Sequence, residues 1–434
     1  MECLVIDGGY GLHGEIKVQG SKNGALPVLA ASVLGGRSVI HNCPRLTDTD
    51  SSLEILRMLG CGAVRNGNTV TVDADCVPRC DIPPELMRRM RSSVIFLGAV
   101  LARCGRAIVS APGGCELGPR PIDLHLSAMR KLGAEITEKD GLVCCESRGR
   151  LKGAEIVLPF PSVGATENII IAASTAKGRT TLVGAAKEPE ITELADFINA
   201  KGGRISGAGS DVLVIDGVEA AGNCEHTCIP DRIAAATFIA AAAATGSELT
   251  LSDVCPEHIA AVISVFEKAG CRFETKGGKL TVAAPERLKA VRFLQTAPYP
   301  AFPTDAQAVT AAALATADGV SVISETIFGS RFRYLRELKR MGANAESEGG
   351  IAVIRGVDRL RGAEMHCTDL RGGAALVVAA LGAEGRSEIR SLRHIDRGYE
   401  SFEAALAALG AKIYRNVKNE TADTIDVFRE ASGV

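Results

Sequence analysis

Neither sign of charge predominates in this chain of 434 residues. Forty-nine Lys and Arg stand against 51 Asp and Glu, so no global field would draw the protein onto nucleic acid or an anionic membrane. Any anion it binds must be held by a local cluster. Long apolar runs are missing as well: stretches such as Ile233 to Thr245 and Ser93 to Ala102 are Ala-rich and fall short of the ~20 residues a bilayer requires, so membrane insertion is not expected. Met1 to Gly9 contain no basic segment followed by an apolar one, so no secretory leader is expected and a cytoplasmic location is. The 14 cysteines are scattered along the chain, and Cys144-Cys145 is their only adjacent pair. They read as small, reduced hydrophobes, and no metal is expected.

What is present is a composition suited to large cores, 46% hydrophobic with 23% charged, in a chain long enough for two or three domains at ~150 residues each. One spelling occurs six times: a helix end, a Gly, a short residue and a strand. Its glycines are Gly60, Gly133, Gly202, Gly270, Gly342 and Gly410, spaced 68 to 73 residues apart. A second set runs in phase, at Gly36, Gly105, Gly178, Gly246, Gly319 and Gly385. Both sets read as left-handed residues just past helix ends, where Gly alone escapes the Cβ penalty. Each unit then reads as an Ala-rich helix, a strand, an amphipathic helix and one or two strands.

The Ala-rich helices are apolar nearly all round, so they belong inside a domain with sheets around them. Six units divide most simply into three plus three, with seams near Gly20-Ser21 and Ile229-Pro230. That predicts an α+β protein of two inside-out α/β barrel (prism) domains, each of three βαβαββ-type repeats. Residues 21–229 form one domain and residues 1–20 with 230–434 the other, with the site in the cleft between them. The strand left over before the first unit is expected to complete the last one.

Polar residues concentrate where the buried helices begin: Lys22-Asn23, Arg91-Ser92, Ser162-Val163-Gly164, Asp231-Arg232, Thr304-Asp305 and Asp369-Leu370-Arg371. Related units place these starts on one face of each domain, so the two faces meet across a cleft. Helix starts offer free N–H groups and favour phosphate and carboxylate. Ser162 and Thr304 read equally as ordinary caps. A cap does not account for Lys22, Arg91, Arg232 or Arg371, because cations oppose the helix dipole there. The run Pro112 to His125 holds three Gly and three Pro in its first ten residues, as a lid would. Its reactive group is Cys115, flanked by Glu116 and followed by Arg120, and a bystander role fits Cys115 on composition alone.

These segments, together with Phe160 to Asn168, Phe302 to Gln307, Glu325-Thr326-Ile327-Phe328 and Asp396 to Glu400, closely resemble the UDP-N-acetylglucosamine 1-carboxyvinyltransferase family of enolpyruvyl transferases over essentially the whole chain. The resemblance implies transfer of the enolpyruvyl group of phosphoenolpyruvate to the 3-hydroxyl of UDP-N-acetylglucosamine, at the start of peptidoglycan precursor synthesis. No cofactor, metal or nucleic acid takes part. It also implies that Cys115 is the acid, the thiol that the epoxide fosfomycin alkylates, and that Asp305 is the base, with Lys22 and Arg397 acting alongside them. Phosphoenolpyruvate would be held by Lys22, Asn23, Arg120, Arg371 and Arg397. The nucleotide sugar falls to Asn23, Arg91, the stretch Arg120, Pro121, Ile122, Asp123 and Leu124, then Ser162, Val163, Gly164, Asp305 and Ile327.

Ile327 and Phe328 fit core packing equally well, and Arg331 reads either as a surface charge or as a group orienting Asp305. Glu116 stands where the family has a small residue, and Phe160 where some members have Lys. Because Lys22 and Arg120 fall on one side of the cleft and Arg371 and Arg397 on the other, these cations are expected to meet only when the cleft closes on the nucleotide sugar.

Overall fold

The computed structural model describes residues 2–110, 112–113 and 122–417. The chain is a mixed α/β protein of short sheets packed around Ala-rich helices. The helix Thr304–Leu314 shows why. From Ala306 to Leu314 every residue is buried, so a helix without a polar face has apolar neighbours on all sides. It packs against the equally apolar helices Arg232–Ala244 and Leu370–Gly382. Amphipathic helices such as Thr47–Leu59 keep Glu54 and Arg57 in solvent and turn Leu53, Leu56 and Leu59 inward.

The buried apolar side chains form two separate clusters. One runs from Ala25 to Cys228. The other takes Leu4 to Val18 from the beginning of the chain and joins them to Ala234 to Ile413. Around them the strands follow one plan, seen clearly in the Leu294–Gln295, Val320–Ser324, Ile351–Arg355 and Asn344–Glu348 sheet. There an antiparallel hairpin flanks the central strand on one side, and a parallel edge strand on the other.

Strand Glu2–Asp7 takes the hairpin position in the last unit, antiparallel to both Arg386–Arg390 and Lys412–Val417. Glu15–Lys17 and Cys224–Thr227 supply the parallel edges of the fourth and first units, beside Glu248–Ser252 and Arg37–His41. The chain crosses between the clusters twice, and the two crossings pair: Ser21 N–H donates to Ile229 O at 2.7 Å and Asp231 N–H to Gln19 O at 2.8 Å. A Cβ on Gly20 would lie 1.7 Å from Asn42 O, so this crossing admits no side chain.

All twelve phased glycines have positive φ, from 60° to 109°. Three of the second set correct the expectation, because Gly178, Gly319 and Gly385 do not cap helices. The residue before each, Lys177, Asp318 or Glu384, already makes a parallel bridge to a neighbouring segment, so these glycines bend the chain into its strand. Gly133 isolates the backbone effect: its φ is +95° and a Cβ there would meet nothing within 4 Å. Gly133→Ala should therefore cost roughly 1–2 kcal/mol through left-handed strain alone, read as a lower denaturation midpoint at unchanged m-value.

Among the described residues no helix is long and apolar enough to cross a membrane. The described cysteines are free thiols, and Cys76 is exposed rather than buried.

Candidate active site

A cavity of about 1170 Å³ is lined by residues of all six buried-helix starts: Lys22, Arg91, Ser162, Arg232, Thr304 and Arg371 each come from a different unit. Asn23, Val163, Gly164, Asp305, Ile327 and Arg397 line it too. The convergence follows from the repeat, since equivalent helices in related units begin on the same face.

The cations Lys22, Arg232 and Arg371 at three of these starts oppose the helix dipoles, and each is offset by a carboxylate that is remote in sequence. Lys22 Nζ lies 2.8 Å from Asp48 Oδ2. Asp48 also accepts from Arg397, at 2.9 Å from Nε and 3.2 Å from Nη2. Arg232 Nε donates to Glu190 at 2.9 and 3.2 Å. Arg371 Nη2 donates to Asp305 Oδ2 at 3.0 Å, and Arg331 Nη2 to Asp305 Oδ1 at 2.8 Å.

Local structure fixes these partners. Asp48 stands in the first turn of Thr47–Leu59, where Thr49 Oγ1 accepts the Leu46 N–H at 3.1 Å. Arg397 is held by the segment after it, because Gln19 donates to Gly398 O at 3.0 Å and accepts from Glu400 N at 2.8 Å. Glu325 ties the Asp305 turn to the next loop: its carboxylate accepts from Thr304 Oγ1 and from the Ile327 N–H, both at 2.9 Å. Thr304 is thus no cap, since its hydroxyl is committed to Glu325. Ser162 is one, accepting from Ala165 N at 3.4 Å.

Electrostatics follow from this arrangement. Burial alone would raise the Asp305 carboxyl, but Arg371 and Arg331 outweigh it and hold the group far below the usual carboxylate range. Asp48 is likewise held low against its burial by Lys22 and Arg397. Burial lowers the Lys22 ammonium, with Asp48 opposing and Arg397 and Arg371 adding to the effect. The asymmetry is physical: Asp48 sees two cations, whereas Lys22 sees one anion and two cations. At 2.8 Å the pair stays charged. A second group is acidic: burial, reinforced by Glu190 and Glu188, raises Glu167 well above its ordinary value.

Not every expected residue joins this cavity. Ile122, Asp123 and Leu124 line a separate depression of about 560 Å³ with Arg130 and Pro159, because the first turn of Asp123–Lys131 directs His125 to the cavity and its neighbours away. Cys115, Glu116, Arg120 and Pro121 lie outside the described residues. Lys22 and Arg397, expected to meet only on closure, are already tied through Asp48, which supplies negative charge between them. Arg331 is no surface group; it is 2% exposed and orients Asp305.

Sequence reasoning missed Asp48, Glu190 and His125. An acid in a helix's first turn looks like ordinary dipole compensation, so Asp48 carried no distinguishing signal. His125 directly follows a stretch that had been singled out.

The sequence model described as EPSP synthase (3-phosphoshikimate 1-carboxyvinyltransferase) matches residues 6–406. A protein of Caldanaerobacter subterraneus subsp. tengcongensis named UDP-N-acetylglucosamine 1-carboxyvinyltransferase 2 is 50% identical over 94% of this chain and 98% of its own. UDP-N-acetylglucosamine 1-carboxyvinyltransferase 1 of Symbiobacterium thermophilum is 48% identical over 95% of each. Among solved structures, the enolpyruvyl transferase NikO from Streptomyces tendae aligns with a TM-score of 0.87 at 26% identity, covering 96% of this chain and 99% of its own. EPSP synthase from Acinetobacter baumannii, at 19% identity and a TM-score of 0.72 over 96% of this chain and all of its own, shares the fold.

Proposed function

From the premise that this chain belongs to the enolpyruvyl transferase family, we propose that its cleft transfers the enolpyruvyl group of phosphoenolpyruvate to the 3-hydroxyl of UDP-N-acetylglucosamine and releases phosphate, the first committed step of peptidoglycan precursor synthesis. The observation that carries this reading is the gathering of Lys22, Arg371 and Arg397 with the carboxylate of Asp305 at the converging helix starts of one cavity. Phosphoenolpyruvate brings a phosphate and a carboxylate, and such a cluster suits both. The relatives at 48 and 50% identity support the choice of acceptor.

The product keeps the carbon–carbon double bond, so the substitution runs as addition followed by elimination. A proton adds to the methylene carbon, cationic character develops at C2, and the sugar oxygen bonds there as its proton leaves. The methyl group then gives up a proton while the C2–O bond to phosphate breaks. An acid and a base are needed, and we assign them to Cys115 and Asp305.

Asp305 between two guanidinium groups is a weak base. A substrate anion that draws Arg371 away would return the carboxylate toward ordinary basicity, so the base is armed only when phosphoenolpyruvate is present. Lys22 and Arg397 take the phosphate by exchanging Asp48 for it in part, and Arg120 is assigned as the remaining cation. The nucleotide diphosphate lies at the Val163–Ser174 helix start beside Arg91.

The two clusters of buried side chains and the paired crossings at Gln19–Ser21 and Ile229–Asp231 support two inside-out α/β domains, residues 21–229 and residues 1–20 with 230–434. No cofactor is required in this chemistry. The test is phosphate release from phosphoenolpyruvate with each acceptor in turn. Release with UDP-N-acetylglucosamine alone is expected. Release only with shikimate 3-phosphate would assign the chain to the sister reaction, and release with neither would make it a non-catalytic member.

A further inference from the structure

His125 is only 6% exposed, yet it lines the cavity rather than the core. Its surroundings determine which ring nitrogen carries hydrogen. Gly98 N–H, which can only donate, gives its hydrogen to Asn168 Oδ1 at 2.7 Å. Val94 O, which can only accept, takes one from Asn168 Nδ2 at 2.9 Å. The amide orientation of Asn168 is therefore set by two main-chain groups. Its second Nδ2 hydrogen points at His125 Nδ1, 2.7 Å away. A donor facing Nδ1 requires that nitrogen to be bare, which places the ring hydrogen on Nε2.

The arrangement is rigid. A Cβ on Gly98 would lie 2.6 Å from Asn168 Oδ1, so the Phe96–Cys104 and Val163–Ser174 helices touch there without room for adjustment. The other edge of the imidazole faces the start of the Val163–Ser174 helix: Cε1 and Nε2 lie 3.2 and 3.6 Å from where a Gly164 Cβ would stand. Nε2 has no partner within the described protein.

We propose that His125 is a fixed, uncharged hydrogen-bond donor to a phosphate oxygen of the sugar nucleotide, its Nε2–H joining the N–H groups of the Val163–Ser174 helix start. The proposal rests on the acceptor named above. Ordinarily an imidazole beside a diphosphate would gain a proton and make binding pH-dependent. Here the second proton has no place, because Nδ1 already accepts from Asn168. The ionisable groups acting on the ring agree: burial and then Arg91 disfavour its cation, Asp123 alone favours it, and the ring is pushed down to about 4. The subsite thus offers the same neutral donor across the physiological range.

The experiment is nitrogen-15 NMR of the histidine side chains in the full-length protein, combined with kinetics. His125 should show a protonated Nε2 and a bare Nδ1, unchanged from pH 8 to pH 5. UDP should shift the Nε2 proton, and uridine should not. A protonated Nδ1, titration within that range, or a spectrum indifferent to UDP would overturn the proposal. His125→Ala should raise KM for UDP-N-acetylglucosamine roughly 10- to 100-fold, as loss of a hydrogen bond to a charged group does. KM for phosphoenolpyruvate should be unmoved, and His125→Asn, which keeps a donor, should recover part of the loss. A fall confined to kcat would count against the assignment. Should the variants fail to fold, the wild-type spectra decide. Absence of turnover with UDP-N-acetylglucosamine would instead overturn the acceptor, while a response of Nε2–H to UDP would still stand.

Discussion

Asp305→Asn is expected to lower kcat by roughly 10²- to 10⁴-fold, the span ascribed to a positioned acid or base, and to change the affinity for UDP-N-acetylglucosamine far less. The side chain keeps its shape, and its amide oxygen still accepts from one of Arg331 and Arg371, which lie 2.8 and 3.0 Å from the two carboxylate oxygens of Asp305. What it loses is the capacity to take a proton. Steady-state kinetics with calorimetric titration of the nucleotide sugar separates the two effects. Weakened binding with near-normal turnover at saturation would make Asp305 a positioning group.

A pH consequence accompanies this prediction. Because the two arginines hold the carboxyl far below its ordinary value, Asp305 stays ionised in the free protein through any pH at which the fold survives. Protonation of Asp305 therefore puts no acidic limb into kcat/KM. If phosphoenolpyruvate draws Arg371 off, the carboxyl moves upward toward about 3.9, and kcat should acquire an acidic limb that kcat/KM lacks.

The largest stability effect is expected at Asp48. Its side chain is 4% exposed and holds both Lys22 and Arg397. Asp48→Ala removes the carboxylate that the buried Lys22 ammonium and the part-buried Arg397 guanidinium share, which should cost about 3–5 kcal/mol. Denaturant unfolding at pH 7 measures it, and an Arg397→Ala background should shrink the loss, since one of the two cations that Asp48 holds is then gone. Inorganic phosphate should restore part of the lost stability by standing between Lys22 and Arg397 as substrate would.

The sign with pH follows from linkage. A carboxyl whose folded pKa is depressed contributes fully above its unfolded value, near 3.9, and loses that contribution as pH falls through the folded value. The gap between wild type and Asp48→Ala should hold from pH 7 down to about 4 and close below it. A gap that persisted unchanged in acid would mean that packing, rather than charge, holds this part of the cleft together.

What the chain states locally could be read without the structure. A left-handed turn favours Gly, with Asn and Asp the usual exceptions, so twelve phased glycines announced six units. A helix of Ala, Ile and Val with a polar start announces a buried helix whose beginning faces something else, and the cavity is lined by all six such starts. Lys22, Asn23, Asp305 and Arg371 were legible as polar residues at such starts, whereas Arg397, at the end of the turn Leu392–Arg397, was legible only through the resemblance.

The groups that make those residues work were not legible, because their meaning lies in a partner. Asp48 meets Arg397 across 349 positions of sequence, and in isolation it is one more acid in a helix's first turn. In the sequence Arg331 reads either as a surface charge or as a group orienting Asp305, and the tertiary fold decides it: Glu325 holds the intervening loop against the Thr304–Leu314 helix. The tautomer of His125 is decided by Asn168, Gly98 and Val94, and Asn168 alone is 43 residues away. Ile122 to Leu124 stood beside His125 in the sequence and turned away from it in space, since neighbours on a helix diverge by about 100°. Residue type and local conformation are properties of the sequence, whereas charge pairing and proton placement depend on distances of 3 Å that only the tertiary fold creates.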